Sequence, residues 1–492
     1  MNLYGRGPLA ALPFLLLLLT PLAQVTAATT STVTTYQGSS QKLCQLTGQT
    51  DYEFNTTTTS QTATRYGLER ADNGYSFLYD GRLWFLFGDT GPTPSFNGYP
   101  NMFNDTPRIG GDYNDAIGYV PDIAGVPNLN DCLALDFTTD SIGAYLDPVV
   151  LNSQGQPAIS LAVDEAPDSG ISDGGLMYVI FKTDNYVYPE PGPSEGNLGF
   201  STRSVVAVSS DNATTWHFLY NFSVPSQPGV WDAKFVNNYI AQGMDGYLYI
   251  WGTEGGTNYR HSAVYLARKP IGSMGNATAI QYFDGMAANG TPTFGSVQSG
   301  AAPLFTDSPS NCAGEVGVEW NQFIDRWIML YECDLSTPSN PAGIWMRTAT
   351  QPWGPWSSPQ TVFAKKDAFC VFIHRAVNAT DPTPCDNLSS AGPDGENRVN
   401  ESGGTYAPYP IATFNTGNAA QGTTTFYWNM ATFNPYTQVI MKTTLQAVQA
   451  TVTTTTPEFP LSLLAPGFLL VLALVAVSVD VLSRKHGTPL RT

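Results

Sequence analysis

Dense runs of aromatic and aliphatic residues recur along the chain, and each run follows a turn that usually contains glycine. Polar residues are scarce within the runs, which predicts strands covered on both faces. The runs are residues 81–89, 175–182, 246–252, 326–332 and 425–431. Strands of this kind are expected where several sheets stack against one another.

A weaker segment of alternating apolar and polar residues follows each run. These segments are residues 132–137, 204–209, 262–268, 343–349 and 437–444. Five copies of a two-strand signal, each with room for an inner and an outer strand, predict five four-stranded blades around a channel. We therefore expect an all-β ectodomain, a five-bladed β-propeller at residues 65–447, preceded by an N-terminal extension at residues 28–64.

The composition agrees with many short strands. The chain contains 46 Gly, 36 Pro, 25 Tyr, 25 Phe and 10 Trp, and only 13% of its residues are charged. Such a chain, rich in aromatics and turn formers, is typical of all-β proteins. The net charge of −18 argues against nucleic acid as a partner, because phosphate binding needs clustered Lys and Arg.

Both ends of the chain carry apolar segments. Residues 1–27 have the layout of a secretory signal peptide, with Arg6 before an apolar run too short to cross about 30 Å of hydrocarbon. Residues 458–483 are long and apolar enough for one transmembrane helix. The basic residues that follow it predict a cytoplasmic tail at residues 484–492.

This topology predicts a cell-surface, single-pass membrane protein with an extracellular N-terminal domain. A Thr-rich stalk at residues 448–457 joins the propeller to the helix. Nine N-x-Ser/Thr sequons fit a glycosylated surface, although several are expected to be chance matches. They begin at Asn55, Asn104, Asn212, Asn221, Asn276, Asn289, Asn378, Asn387 and Asn400.

Six cysteines in an exported chain without a C-x-x-C pair favour three disulfides over a metal site. Cys312 and Cys333 flank a predicted strand pair, and Cys370 and Cys385 bracket a loop. The favoured pairing, one of fifteen, is Cys44 with Cys132, Cys312 with Cys333, and Cys370 with Cys385.

Residues 209–216 resemble the Asp-box turn of sialidase-type propellers, in which Asp and Ser/Thr side chains bond to turn backbone above a Trp. Ala213 stands where that turn usually has Gly. A simple hairpin with an Asx-turn is the alternative. Either turn is architectural and carries no chemistry.

Residues 88–90, 348–356 and 430–436 are more specific, and their order along the chain resembles the family called domain of unknown function 4185. Members of that family look like five-bladed glycosidase propellers, and the resemblance covers roughly residues 65–447. The PEF sequence at residues 457–460, with the helix and basic cluster after it, is similar to tails recognised by archaeal sortase-like enzymes. An ordinary permanent anchor is the alternative.

Glycoside hydrolysis needs two carboxyl groups that flank a sugar bond. Asp72 looks like the family's inner-strand Asp and is the expected base. Asp232 and Glu319, placed on the inner strands of the third and fourth blades, are the candidates for the general acid. Arabinanase-like propellers usually carry Glu on the third blade, so Asp232 departs from their pattern and leaves the activity open. Glu332 resembles an acid motif of fructan-cleaving propellers but lies in the fourth blade rather than the third, and it is not counted as a site residue.

Substrate contacts are expected from Asp89, Arg260, His261, Trp231 and Trp320. Asp89 could instead be a turn residue whose side chain bonds to the local backbone. His261 could instead be a loop histidine that is simply solvated. No cofactor is predicted, because the motifs of nucleotide, zinc-protease, serine-hydrolase and EF-hand sites are missing from the sequence. A calcium ion in the channel stays open as an alternative.

The leading hypothesis is a carbohydrate-active ectodomain, either a glycosidase or a relative that only binds extracellular glycans. The second hypothesis is a non-catalytic envelope or adhesion protein that uses the propeller loops for protein or glycan binding. A sialidase-like enzyme is a third, but it needs clustered arginines, and the whole chain has 22 Lys and Arg.

Overall fold

The computed structural model describes residues 29–93, 96–97, 115–126, 129, 132–161, 165–183, 201–227, 230–375 and 402–454. Residues 36–447 form one compact unit. Residues 1–35 and 448–492 form another, of which only strand residues 29–35 and 448–454 are described. The predicted signal peptide, transmembrane helix, sorting tail and cytoplasmic tail lie outside the described residues. Within the described ranges, no helix combines the length and the apolar character needed to cross a membrane.

Five largely antiparallel sheets follow one another along residues 36–447 and form the five blades predicted from the sequence. The N-terminal segment contains β1 (Thr29–Gln45), β2 (Thr50–Asp51), β3 (Thr56–Thr57) and the helix α1 (Thr62–Tyr66). Blade 1 contains β4 (Leu68–Tyr79), β5 (Arg82–Pro92), β6 (Ala116–Val120) and β7 (Asp136–Phe137). Blade 2 contains β8 (Val150–Leu151), β9 (Ala166–Asp173), β10 (Leu176–Thr183), β11 (Arg203–Ser209) and β12 (Trp216–Ser223).

In two of the remaining blades, the third and fourth, the strands follow chain order from the axis outward. Blade 3 contains β13 (Asn237–Gln242), β14 (Tyr247–Thr253), β15 (Tyr265–Pro270), β16 (Gln281–Met286) and β17 (Pro292–Gly295). Blade 4 contains β18 (Val316–Asn321), β19 (Arg326–Cys333), β20 (Gly343–Ala349) and β21 (Gln360–Ala364). Blade 5 contains β22 (Gly404–Pro410), β23 (Thr416–Asn418), β24 (Thr423–Phe433) and β25 (Thr437–Thr454). Short 3-10 turns lie at Gly256–Asn258, Ala277–Ala279, Gln298–Gly300, Lys365–Asp367, Ala412–Phe414 and Ala419–Gln421.

The first strands of the blades, β4, β9, β13, β18 and β22, form a closed ring. Each contacts the first strand of the next blade, and β22 contacts β4. The dense apolar runs are the second strands, β5, β10, β14, β19 and β24, which are covered by neighbouring blades on both faces. Their tryptophans Trp84, Trp251, Trp327 and Trp428 are at most 2% exposed. The stacking expected from the runs is therefore confirmed.

The alternating segments are the third strands of blades 2 to 5. In blade 1 that prediction is wrong, because the third strand is β6, and only residues 136–137 of the predicted segment form a strand. β6 is short, with the sequence Ala-Ile-Gly-Tyr-Val. Five residues are too few for an alternation of apolar and polar positions that could be recognised in the sequence.

The N-terminal segment completes the last blade. β1 lies beside β25, so the order across blade 5 is β1, β25, β24 and β22. The segment expected to be an extension thus provides the outermost strand of the propeller, and β25 continues to Thr454, into the residues expected to form a stalk. The sequence of β1 is polar and Thr-rich because only part of this edge strand is covered.

Two predicted disulfides are present, Cys44–Cys132 and Cys312–Cys333, with Cα atoms 5.7 Å and 5.0 Å apart. The first ties β1 to the loop before β7. Cys370 is also disulfide-bonded, and Cys385 lies outside the described residues.

Replacing Cys44 and Cys132 together by serine should lower the free energy of unfolding by about 2–4 kcal/mol, because their bond closes a long loop in the unfolded chain. The two cysteines are 88 residues apart. Denaturant unfolding without reductant measures the loss, and the difference from wild type should vanish when both proteins are unfolded in reductant. Equal midpoints without reductant would contradict the expected role of this bond.

The turn at residues 209–216 has the geometry of the Asp-box that it resembles. The carboxylate of Asp211 accepts hydrogen bonds from the backbone N–H and the hydroxyl of Thr215, at 3.0 Å and 2.6 Å. Ser209 Oγ accepts from the N–H of Ala213 at 3.1 Å, and Trp216 is fully buried below. Ala213 adopts a left-handed φ of 60°, the conformation for which such turns favour Gly. This turn connects β11 to β12 and stabilises the hairpin that they form.

Candidate functional site

Polar side chains collect at one end of the propeller axis. In each blade the first strand begins and the second strand ends on the same side, because the two pair in antiparallel fashion. Asp72, Asp168, Lys182, Glu315 and Glu332 lie at this end, and we call them the axial cluster. All five are buried, with no more than 9% of the surface of any residue exposed.

Irregular strand pairing helps to turn side chains of this cluster inward. The register of β9 against β10 shifts at Asp168: Ile180 pairs with Ser169, and Phe181 with Pro167. The register of β4 against β5 shifts on both sides of Asp72. Bulges of this kind re-aim side chains and are frequent beside active sites.

Lys182 and Glu315 form the charged centre of the cluster. The Nζ atom of Lys182 lies 3.7 Å from Oε1 of Glu315. Burial lowers the pKa of Lys182, but Glu315, Asp168 and Asp72 outweigh it and raise that pKa above its ordinary value. Burial acts to raise the pKa of Glu315, but Lys182 and several hydrogen bonds outweigh it and hold that pKa below its ordinary value, so Glu315 stays ionised. Tyr259 Oη donates to both carboxylate oxygens of Glu315, at 2.9 Å and 2.7 Å.

Asp72 lies on β4 and keeps a raised pKa. Tyr406 Oη donates to its Oδ2 at 3.2 Å, and Tyr436 also hydrogen-bonds to it. Burial is the main cause that raises the pKa of Asp72, to about 6, against the lowering effect of Lys182. Asp72 can therefore change protonation near neutral pH.

Asp168 is the acidic residue that blade 2 contributes. It is fully buried, and its Oδ2 accepts a hydrogen bond from the backbone N–H of Asn238 on β13. Its Oδ1 is buried without a hydrogen-bond partner. Burial raises the pKa of Asp168 to about 7, which leaves this carboxyl group largely protonated in mildly acidic solution.

Glu332 is held on the fourth blade beside Glu315. Its Oε1 accepts from the backbone N–H of Glu315 at 2.7 Å and lies 4.0 Å from Nε of Arg260. Its Oε2 is buried without a hydrogen-bond partner. Burial and the charge of Glu315 raise the pKa of Glu332 well above its ordinary value. Gly314 makes room for this side chain, because a Cβ there would overlap Glu332.

Three tyrosines fill the axis deeper in the propeller. The rings of Tyr75, Tyr239 and Tyr409 lie 4.7–6.0 Å apart, centroid to centroid, and all three are buried. Tyr75 Oη donates to the carbonyl oxygen of Ile240 at 2.5 Å. These rings close the axis beneath the axial cluster.

Glu319 lies on β18 and is only 2% exposed. Both of its carboxylate oxygens accept from Asn415 Nδ2 at 2.9 Å. Burial raises the pKa of Glu319 to about 7, and its charge acts on Tyr239 of the tyrosine layer. Glu319 is thus a buried inner-strand carboxyl group as expected, but it is associated with the tyrosine layer rather than with Asp72.

Asp232 does not lie on the inner strand, as its sequence position suggested, because β13 begins only at Asn237. Its side chain is exposed, and its Oδ1 accepts from the backbone N–H of Ser226 at 2.8 Å. These bonds to Ser226 lower the pKa of Asp232. At the axial end blade 3 instead presents Asn238. Trp231, next to Asp232, is half-buried and packs against Gly256.

Of the residues expected to contact substrate, Asp89 and Arg260 lie at the axial end. Asp89 is half-buried on β5 with a left-handed φ of 42°, and its charge acts on Lys182. The guanidinium of Arg260 lies over the rings of Tyr259 and Tyr406, at 5.0 Å and 5.4 Å.

His261 and the tryptophans are placed differently. His261 is exposed on the loop after β14. Trp320 packs against Trp327, with ring centroids 5.7 Å apart. Since successive strand side chains point to opposite faces, Trp320 is turned away from the face that carries Glu319.

The sequence carried a signal for the residues that the prediction missed. Asp168 precedes the turn and dense run of blade 2, as Asp72 does in blade 1, and Glu315 stands just before β18. Lys182 is the last residue of the dense run at residues 175–182, so it was interpreted as part of that strand and not as a site residue. In the described part of the chain, no group of three or more His, Cys, Asp or Glu side chains is arranged to hold a metal ion. A channel calcium ion stays a prediction.

Comparisons with known proteins bear on the fold and the family. Residues 57–442 match the model of the family described as "Domain of unknown function (DUF4185)". A search of curated proteins found no match to the chain.

Several solved structures of glycoside hydrolases are similar at low identity. A thermostable family-43 glycoside hydrolase matches over 81% of this chain and 97% of its own, with 11% identity and a TM-score of 0.37. An exo-beta-1,3-galactanase from Phanerochaete chrysosporium matches over 82% of this chain and 64% of its own, with 9% identity and a TM-score of 0.37. An exo-1,5-alpha-L-arabinanase from a bovine ruminal metagenomic library matches over 78% of this chain and 94% of its own, with 7% identity and a TM-score of 0.34. At these scores the likeness carries no argument about activity.

Proposed function

The chain belongs to the DUF4185 family, and we propose that it is a cell-surface, carbohydrate-active protein, a glycoside hydrolase-like propeller that acts on extracellular glycans. One observation carries the proposal. Buried carboxyl groups with opposite pKa shifts share one end of the axis, with the pKa of Glu315 lowered and those of Asp72 and Asp168 raised. Pairs of carboxyl groups held in different protonation states are what glycoside hydrolysis requires.

The proposed chemistry assigns the base to Asp72. With a pKa of about 6 it is ionised at neutral pH, and Lys182 stabilises that charge. Asp168, with a pKa of about 7, is the best-supported general acid, because it retains its proton at a pH where Asp72 has lost one. Glu319 and Asp232 remain the alternatives predicted from the sequence. Arg260 and Asp89 would contact the sugar at the rim.

The proposed location rests on the two terminal segments of the sequence. A cleaved signal peptide and one C-terminal helix would leave the propeller outside the cell, anchored to the membrane. Mass spectrometry of the purified protein should find the mature N-terminus near residue 28. Protease added to intact cells should remove the propeller, and protection of the propeller until the cells are lysed would contradict this topology.

A polysaccharide panel tests the proposed function. Purified protein is incubated with arabinans, galactans, xylans and β-glucans, and reducing ends are measured. We expect release of sugar from at least one of them. If a polysaccharide binds without cleavage, the non-catalytic alternative is supported. Failure both to bind and to cleave any glycan would contradict the proposal.

The pH profile of cleavage follows from the two carboxyl groups. Activity should require Asp72 ionised and Asp168 protonated, and their pKa values are about 6 and about 7. We therefore expect a bell-shaped profile of kcat/KM with its maximum between these two values. A rate that keeps rising above pH 8 would contradict the assignment of Asp168 as acid.

A glycan-binding protein without catalysis is the second candidate. It is favoured by blade 3, where the sequence offers Asp232 rather than the Glu of arabinanase-like propellers and the axial end carries Asn238. Asp168 and Glu315 are at most 2% exposed, so contact with a substrate would need the rim to open. The polysaccharide panel separates the two candidates because it measures binding and cleavage on the same samples.

A further inference from the structure

Glu254 is a carboxyl group of blade 3 that lies at the same end of the propeller as the axial cluster. It follows directly after β14, and it is half-buried, whereas Asp168 and Glu315 are at most 2% exposed. Its backbone N–H donates to Ser262 Oγ at 2.9 Å, and its carbonyl oxygen accepts from Asn237 Nδ2 at 3.1 Å. The backbone of Glu254 is therefore fixed on both sides, and the residue is still partly exposed at the rim.

The carboxylate of Glu254 can accept more hydrogen bonds than the protein provides. Within the described residues it accepts from Tyr265 Oη on Oε1 at 3.0 Å and from Asn258 Nδ2 on Oε2 at 2.7 Å. A carboxylate has about four acceptor positions, so each oxygen has room for another donor. The charge of Lys234 acts on Glu254, so a cation lies near this carboxyl group.

An aromatic ring is held beside this carboxylate. Asn258 Nδ2 also donates to the carbonyl oxygen of Trp231 at 3.0 Å, so one amide group links Trp231 to Glu254. Gly256 has a left-handed φ of 59° and lies against the six-membered ring of Trp231, where a Cβ would overlap ring atoms. Trp231 is half-buried, and the neighbouring Val230 is 40% exposed. An apolar surface and a carboxylate thus lie side by side at the rim.

We propose that Trp231 and Glu254 form a sugar-binding subsite, which takes a unit of the glycan that carries two adjacent hydroxyl groups; this inference rests on the proposed function. The ring of Trp231 offers an apolar surface to the C–H face of the sugar. The remaining acceptor positions of Glu254 suit two hydroxyl donors on neighbouring carbon atoms. Small-molecule sites typically combine aromatic surface with a few placed polar groups in this way.

The subsite adjoins the axial cluster without belonging to it. Asn258 and Tyr259 are consecutive residues of one turn, and the first donates to Glu254 while the second donates to Glu315. Thr253, next to Glu254, donates through Oγ1 to the carbonyl oxygen of residue 314 at 2.5 Å. A glycan whose reacting bond lies at the axial cluster would therefore place a unit farther along its chain against Trp231.

Oligosaccharide length tests the subsite. Asp72→Asn protein, in which cleavage should be too slow to disturb a titration, is titrated by calorimetry with di- and hexasaccharides of the arabinan, galactan, xylan and β-glucan series. We expect the hexasaccharide of at least one series to bind more tightly than its disaccharide. Adding Trp231→Ala or Glu254→Gln should weaken hexasaccharide binding by about tenfold, the size expected when a hydrogen bond to a charged group is lost. Disaccharide binding should be unchanged, because only the longer ligand reaches the rim.

Asp284→Asn, exposed on β16 of the same blade, is the matched control and should bind both ligands as before. If Trp231→Ala does not fold, Glu254→Gln decides the question, because glutamine keeps the size of the side chain. Unchanged hexasaccharide binding in the variants, or an equal loss for both lengths, would overturn the subsite but leave the proposed glycan function standing. If no oligosaccharide binds to this protein or to wild type, the proposed function fails, and the subsite fails with it.

Discussion

Replacing Lys182 by methionine should lower the free energy of unfolding at pH 7 by about 3–5 kcal/mol, the usual effect of removing one partner from a buried ion pair. The Nζ atom of Lys182 lies 3.7 Å from Glu315, and only 11% of the lysine side chain is exposed. Methionine fills the same space but leaves Glu315, Asp168 and Asp72 without their common cation. Denaturant unfolding measures the loss.

The loss should depend on pH in a defined direction. The pKa of Lys182 is raised in the fold, so its contribution is present below about pH 10.4 and is lost only as the pH rises through the higher folded value. At low pH, the contribution of Lys182 to stability is limited by the protonation of its carboxylate partners. Asp168 and Asp72 become protonated as the pH falls through about 7 and about 6, so the loss should be smaller at pH 4 than at pH 7.

Lys366→Met is the matched control. Lys366 pairs with Asp367 at the surface, and 69% of its side chain is exposed. Exposed pairs of this kind contribute about 0–1 kcal/mol, so this variant should unfold close to wild type. A Lys182→Met protein as stable as Lys366→Met at pH 7 would contradict the charged centre described for the axial cluster.

Replacing Asp72 by asparagine should lower kcat/KM on any cleaved glycan by about 10²–10⁴-fold, the range expected for loss of a general base. Asparagine keeps the size of Asp72 and can still accept the hydrogen bond from Tyr406, but it cannot take a proton. The effect should therefore fall on the rate rather than on folding. Melting temperature and reducing-sugar release from the same preparation separate the two.

Two exposed carboxylates serve as controls for Asp72. Asp232→Asn tests the acid predicted from the sequence, and its position outside the inner strand leads us to expect nearly unchanged activity. Asp284→Asn, on β16 far out in blade 3, should have no effect. If Asp232→Asn abolishes cleavage while Asp72→Asn does not, the chemistry lies outside the axial cluster.

The repeat of second and third strands could be predicted because these strands pack between blades. Burial on both faces selects continuous apolar sequences such as Leu176–Thr183, which are visible without any structure. The first strands could not be found in this way. Ala166–Asp173, with the sequence APDSGISD, mixes polar and small residues because one of its faces lines the axis, and a bulge breaks its alternation.

The site was predictable only in part for the same reason. Asp72 was predicted because its position resembles the family's inner-strand Asp, whereas Asp168 and Glu315, which also precede the dense runs of their blades, carry no such resemblance. Asp232 was misplaced because the start of β13 could not be fixed to within five residues. The closure of blade 5 by β1 depends on a contact between distant parts of the chain, such as Ser40 with Thr443, which no local pattern encodes.

The most direct test of the account is a crystal structure of the Asp72→Asn protein with an oligosaccharide from the panel. The account predicts a sugar ring at the axial end, with a glycosidic oxygen within hydrogen-bond distance of residue 72 or Asp168. A sugar bound on the outer strands of a blade, with the axial end empty, would contradict it.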